Sequence, residues 1–167
     1  MNRYTYTAAY IGVIVAANWM TATLGLVPIG FGLMVTAGTF AAGAALIVRD
    51  GLQLQVGRLW MVAAILTGAL ISAVTSDPAV ALASGIAFLV SELVDWSVFT
   101  PLRGRSLPGA VLASSVVSAP VDTVLFLHIS GFGVTWQAVA GQFIVKTGMA
   151  LLVALVLAAR DRRAVTA

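Results

Sequence analysis

Apolar residues run along this chain in six stretches, each about the length needed to cross a hydrocarbon layer of ~30 Å, separated by short segments holding prolines, glycines and charges. The first, Thr7 to Val27, is apolar apart from Asn18, Trp19 and a few threonines, and Pro28 and Gly30 end it. A second runs from Phe31 to Val48 and stops at Arg49-Asp50; its glycines, alanines and threonines predict a helix packed closely against its neighbours. The third, Leu59 to Thr75, stops at Ser76-Asp77-Pro78, where the proline is suited to the first turn of the next helix. A fourth, Ala79 to Phe99, is closed by the polar loop Thr100-Pro101-Leu102-Arg103-Gly104-Arg105. Within the fifth, Pro108 to Ile129, Pro120 removes a donor from the helix ladder, which predicts a bend near Val116. The sixth, Thr135 to Ala159, ends in Arg160-Asp161-Arg162-Arg163. The pattern predicts an all-α membrane protein, with residues 1–167 forming a single transmembrane domain built as a bundle of six transmembrane helices. Because the first run exceeds the ~7–15 residues of a signal-peptide core, it is expected to stay as a span.

Composition agrees, with 60% hydrophobic and 9% charged residues and a mean hydropathy of +1.04. Soluble domains carry about 25% charge. The absence of cysteine leaves no disulfide framework or thiolate metal site, and one histidine cannot build a histidine metal centre. No cofactor is expected. The basic residues are dispersed between apolar runs and form no stripe, so nucleic acid is not an expected partner; the lipid bilayer is. Apart from Lys146, every basic residue falls before the first run, between the second and third, between the fourth and fifth, or after the sixth. The positive-inside rule therefore puts both termini in the cytoplasm of a multi-pass protein of the inner (plasma) membrane.

Four ionisable residues lie inside the apolar runs: Glu92, Asp95, Asp122 and Lys146. Each would cost about 2.5–3.5 kcal/mol at mid-bilayer if left facing lipid, so an inward, polar cavity is expected. Glu92 and Asp95 share one helical face, and Gln142 and Lys146 share another. One lysine cannot neutralise three ionised acids, so either a carboxyl is protonated or a proton, cation or cationic substrate completes the balance. The competing reading has Lys146 pair with one acid merely to fix helix packing. Asn18 and Gln142 both donate and accept hydrogen bonds, which suits a planar heterocycle and equally suits joining one helix to another. Thr36, Thr39, Ser114 and Ser118 are secondary candidates, since such hydroxyls often bond to their own helix. Phe31, Trp96, Trp19, Phe40 and Phe99 could stack on a flat ligand, whereas Trp60 and Trp136 suit an interfacial belt. His128 reads as interfacial, and Asp50 beside Arg49 as a solvated pair. Paired carboxylates also raise an intramembrane enzyme, but no nucleophile with a base and no phosphate loop accompanies them.

Taken in order, several motifs resemble the VUT family of vitamin uptake transporters, also described as the queuosine precursor transporter family. They are Ala16-Ala17-Asn18, Val27-Pro28-Ile29-Gly30-Phe31-Gly32, Ala41-Ala42-Gly43, Arg49-Asp50, Gln53 and Gly57, then Ser91-Glu92-Leu93-Val94-Asp95, Thr100-Pro101-Leu102-Arg103, Val121-Asp122-Thr123 and Gly141-Gln142-Phe143-Ile144-Val145-Lys146. This resemblance implies uptake of a small-molecule 7-deazapurine, either 7-cyano-7-deazaguanine or 7-aminomethyl-7-deazaguanine, by alternating access around a buried polar site. It implies substrate contacts from Asn18, Phe31, Thr39, Glu92, Asp95, Trp96, Ser114, Asp122, Gln142 and Lys146. A vitamin-binding membrane subunit served by a separate ATPase module is the alternative, and proton coupling and a homodimer stay open.

Overall fold

The computed structural model describes residues 3–45 and 56–166. Helix α1 (Arg3–Leu24) leads into a two-stranded antiparallel hairpin, β1 (Leu26–Gly30) and β2 (Leu33–Thr36). A helix, α2, begins at 39 and is described through 45. Then follow α3 (Arg58–Thr75), α4 (Pro78–Leu102), α5 (Leu107–Ile129) and α6 (Trp136–Thr166). Four of these are long and apolar enough to cross a membrane: α1, α4, α5 and, within α6, Trp136–Ala159. The apolar part of α3, Leu59–Thr75, falls at the short end of the spanning range.

The hairpin corrects the second predicted span. Where the apolar run from Phe31 reads as helix, the chain instead pairs Leu26 with Thr36, Val27 with Val35 and Pro28 with Met34. The cause is local: Pro28 interrupts any helix, and Gly30, Phe31 and Gly32 all take positive φ, which reverses the chain tightly. The small-residue helix expected over this run begins only at 39. Its expected end at Val48, and Arg49-Asp50, lie outside the described residues.

Pro101 is a smaller correction. It sits inside the last turn of α4 rather than in the loop, so the helix runs three residues beyond Phe99. On the other side, α5 is helical without interruption through Pro120. The expected start of α4 is present: Pro78 occupies its first turn and the Asp77 carboxylate accepts from the backbone N–H groups of Ala79 and Val80 at 2.8 and 2.9 Å. Ser106 caps α5 similarly, accepting from Gly109. Asp77→Ala is expected to cost about 0.5–2 kcal/mol, the usual range for a lost N-cap, measurable as a lower unfolding midpoint in detergent. An unchanged midpoint would mean that the connection between α3 and α4 is held by packing alone.

Three apolar clusters bind the helices. Tyr10 and Ile14 of α1 meet Met61 and Ile65 of α3 and Trp96 of α4. Val80, Ala83 and Ala87 of α4 pack on Phe126 of α5. Phe99 of α4 and Val111 of α5 are joined by Val153 and Leu157 of α6. Outward-facing Leu66, Leu70, Leu82, Leu93, Leu152 and Leu155 leave the bundle surface apolar, as a lipid-facing surface must be. Trp60 and Tyr4 stand at one end of the bundle and Trp136 at the other, each exposed. At the first end Trp60 Nε1 donates to Thr7 Oγ1 at 2.8 Å, and the Arg3 guanidinium lies 5.6 Å from its ring.

Candidate functional site

Helices α5 and α6 are joined at the centre of the bundle by one buried ion pair. Lys146 Nζ donates to Asp122 Oδ2 at 2.6 Å and to Thr123 Oγ1 at 3.0 Å. On the other side of the carboxylate, Ser91 Oγ of α4 lies 3.3 Å from Asp122 Oδ1 and 3.1 Å from the Phe88 carbonyl oxygen, so its one proton serves two acceptors. Three helices thus meet at Asp122. An ion pair shielded from water is strong only when its remaining polar atoms are also satisfied, which Thr123 and Ser91 help to do.

Two cavities adjoin this pair. One, of about 30 Å³, is lined by Asn18 and Thr21 of α1, Thr36 and Thr39 beside the hairpin, Gln142 of α6, and the ion pair. The other, about 40 Å³, is lined by Tyr10, Glu92, Ser115 and Ser118, and again by the ion pair. Both are water-sized as they stand, well below the ~300–1,000 Å³ common for small-molecule sites, so a larger solute needs the helices around them to move apart. In the first, Asn18 Nδ2 and Gln142 Nε2 are buried and have no hydrogen-bond partner among the described residues. Two amide groups with unused hydrogens around a polar cavity are suited to a ligand carrying acceptors, since leaving such groups unmatched costs about 1–3 kcal/mol each. Ser115 Oγ is likewise buried without a partner at the second cavity.

The wall between hairpin and α1 is built by close backbone approach. Gly38 N donates to Thr21 Oγ1 at 3.1 Å, and Thr36 and Thr39 share a hydroxyl hydrogen bond of 2.9 Å. A side chain at Gly38 would overlap the Ala17 carbonyl, and one at Gly141 would overlap that of Met34. These two glycines let β2 and the following turn lie directly on α1 and α6.

Of the residues expected from sequence, Asn18, Thr39, Asp122, Gln142 and Lys146 line the first cavity, and Glu92 lines the second together with Asp122 and Lys146. Thr36 and Ser118 also line cavities. Four others stand elsewhere. Phe31 is at the hairpin tip, fully exposed, and lines neither cavity. Trp96 is part of the core between α1, α3 and α4. Asp95 is fully buried but lines neither cavity. Ser114 is also buried, with its hydroxyl on the Val111 carbonyl of its own helix at 3.3 Å. Trp19 and Phe40 are about half exposed on the outside of the bundle. Sequence reasoning missed Phe88, Ser84 and Phe126 as lining residues. A signal was present: Ser84, Phe88, Ser91 and Glu92 recur at helical spacing, one stripe of α4 leading to the recognised acid.

A helical bundle with an apolar exterior, several membrane-length helices and a buried ion pair beside two small cavities has the build of a multi-pass membrane protein. Among known families, the one described as putative vitamin uptake transporter matches residues 21–159, and the chain belongs to it. No curated protein sequence and no solved structure matches the chain.

Proposed function

We propose that this chain takes up a queuosine precursor, 7-cyano-7-deazaguanine or its 7-aminomethyl relative, across the inner (plasma) membrane by alternating access. In this reading six spans cross the bilayer with both termini cytoplasmic. The observation that carries it is the pair of unpartnered amides, Asn18 and Gln142, on a cavity closed by the Asp122–Lys146 pair. A guanine-like edge presents both acceptors and N–H donors. Its carbonyl can accept from Asn18, Gln142 or Lys146, while Asp122 can accept from its N–H groups. Thr39 adds a hydroxyl to the same wall. In the proposed site Phe88 takes over the stacking role first given to Phe31 and Trp96, since it lines both cavities. Glu92 is kept as a contact from the second cavity; Asp95 and Ser114 are assigned to helix packing. A transporter needs no bond-making step, so no catalytic residue is proposed.

Calorimetric binding of 7-cyano-7-deazaguanine to purified protein, with guanine as competitor, tests this function. Saturable binding is expected. Asn18→Ala and Gln142→Ala should each weaken it about tenfold, the equivalent of one net hydrogen bond of ~1–1.5 kcal/mol. Absence of binding to folded wild-type protein would overturn the deazapurine assignment and leave the transporter family without this substrate.

A further inference from the structure

The two cavities lie end to end along the bundle. The upper one is formed near the hairpin, from the last two turns of α1, the second turns of α4 and α6, and the last turn of α5, where Asn18, Ser84, Gln142 and Phe126 stand. The lower one is formed farther from that end, by Tyr10 of α1, Glu92 of α4 and Ser115 and Ser118 of α5. Four residues line both: Ala42, Phe88, Asp122 and Lys146. The boundary common to the two spaces thus includes one aromatic ring, one methyl group and one ion pair.

The partition is held by contacts of a kind that a polar ligand can replace. Lys146 uses two of its three N–H donors within the described residues, on Asp122 and Thr123. Separating it from Asp122 without compensation would strand two buried charges, which is strongly unfavourable. A ligand that offers Asp122 an N–H donor in place of Lys146 removes much of that penalty. One offering only acceptors satisfies Asn18 and Gln142 but leaves the carboxylate dependent on Lys146. Phe88 is half-buried, lines both cavities and packs on the edge of the core between α1, α3 and α4, so a change of rotamer gives up some apolar contact but breaks no hydrogen bond.

We propose that Phe88 and the Asp122–Lys146 pair are the gate between two half-channels, opened when an N–H group of a polar solute takes Lys146's place on Asp122. This rests on the transport reading and adds the division of the path to it. It also gives a reason for the position of the pair: a lysine needed only for packing could lie anywhere along α5 and α6, whereas this one stands where the free space is interrupted.

Because the chain has no cysteine, Ser84→Cys and Ser118→Cys each introduce a unique thiol, the first in the upper cavity and the second in the lower. In right-side-out and inverted vesicles, a small membrane-impermeant thiol reagent is expected to modify Cys at 84 from one membrane face and Cys at 118 from the opposite face. Adding Phe88→Ala should let the reagent reach both thiols from a single face. The neutral exchange Asp122→Asn with Lys146→Gln should do the same and serves if Phe88→Ala fails to fold. Modification of both thiols from one face with the gate residues intact, modification of neither, or a one-sided pattern that survives both gate variants would overturn the proposal. No solute is added, so failure here is distinct from failure of the calorimetric test.

Discussion

Lys146→Met is expected to destabilise the protein by about 3–5 kcal/mol, the cost typical of removing one member of a buried ion pair and leaving the other uncompensated. Asp122 loses the ammonium 2.6 Å away and retains only the shared proton of Ser91 at 3.3 Å. Methionine fills much of the lysine stem's volume, so the loss is electrostatic rather than a packing defect. The double variant Asp122→Asn with Lys146→Met removes both charges and should recover most of the stability, because a paired and an unpaired-but-neutral site differ far less than a paired and a half-broken one. Thermal unfolding in detergent, with the two single variants and the double variant as a cycle, measures this. If Lys146→Met and wild type unfold at the same temperature, the pair does not hold α5 to α6.

The second large effect is expected at Gly38 and Gly141. An added Cβ would meet the carbonyl oxygens of Ala17 and Met34, which belong to backbone and cannot rotate away. Overpacking a well-filled interior costs about 1–3 kcal/mol where side chains can adjust; here the cost should lie at the upper end, and the hairpin should separate from α1 and α6. Gly38→Ala and Gly141→Ala are therefore expected to increase protease cleavage near Gly30-Phe31-Gly32 and to lower the yield of folded protein. Gly12→Ala and Gly148→Ala are controls, with no atom within 4 Å of the added carbon. Equal protease resistance in all four variants would show that the hairpin is not held by these contacts.

The membrane character of the chain and most helix limits were legible in sequence because apolar length and punctuation act locally. Ser76-Asp77-Pro78 is an example: a capping carboxylate followed by proline specifies a helix start without tertiary information, and α4 begins there. The hairpin was not legible in the same way. Leu26 to Thr36 is as apolar as a span, and hydropathy does not distinguish a short strand from part of a helix. Its glycines announce a turn, but the pairing of Val27 with Val35 becomes favourable only against α1 and α6. Burial of Asp122 and Lys146 could be inferred from their cost in lipid, while the choice of Asp122 over Glu92 or Asp95 as the lysine's partner depends on the relative heights of α4, α5 and α6. Aromatic roles were the least legible. Phe31, Phe88 and Trp96 differ little in chemistry, and only the packed bundle places them respectively outside, beside the cavities and in the core.

The hairpin also fixes how deep the molecule can sit in its bilayer. The β2 side of the sheet lies against α6, but the β1 side is partly exposed, and unpaired N–H and C=O groups along such an edge are not tolerated where hydrocarbon surrounds them. The strands must therefore remain in the headgroup layer, in water, or against other protein. Since β1 follows α1 directly, an edge kept out of hydrocarbon puts the boundary on this side no farther out than the end of α1 at Leu24. The sheet acts as a depth stop: the bundle cannot sink past it without stripping water from the β1 edge. The packed helices then carry the ion pair at a set distance along the bundle from that edge.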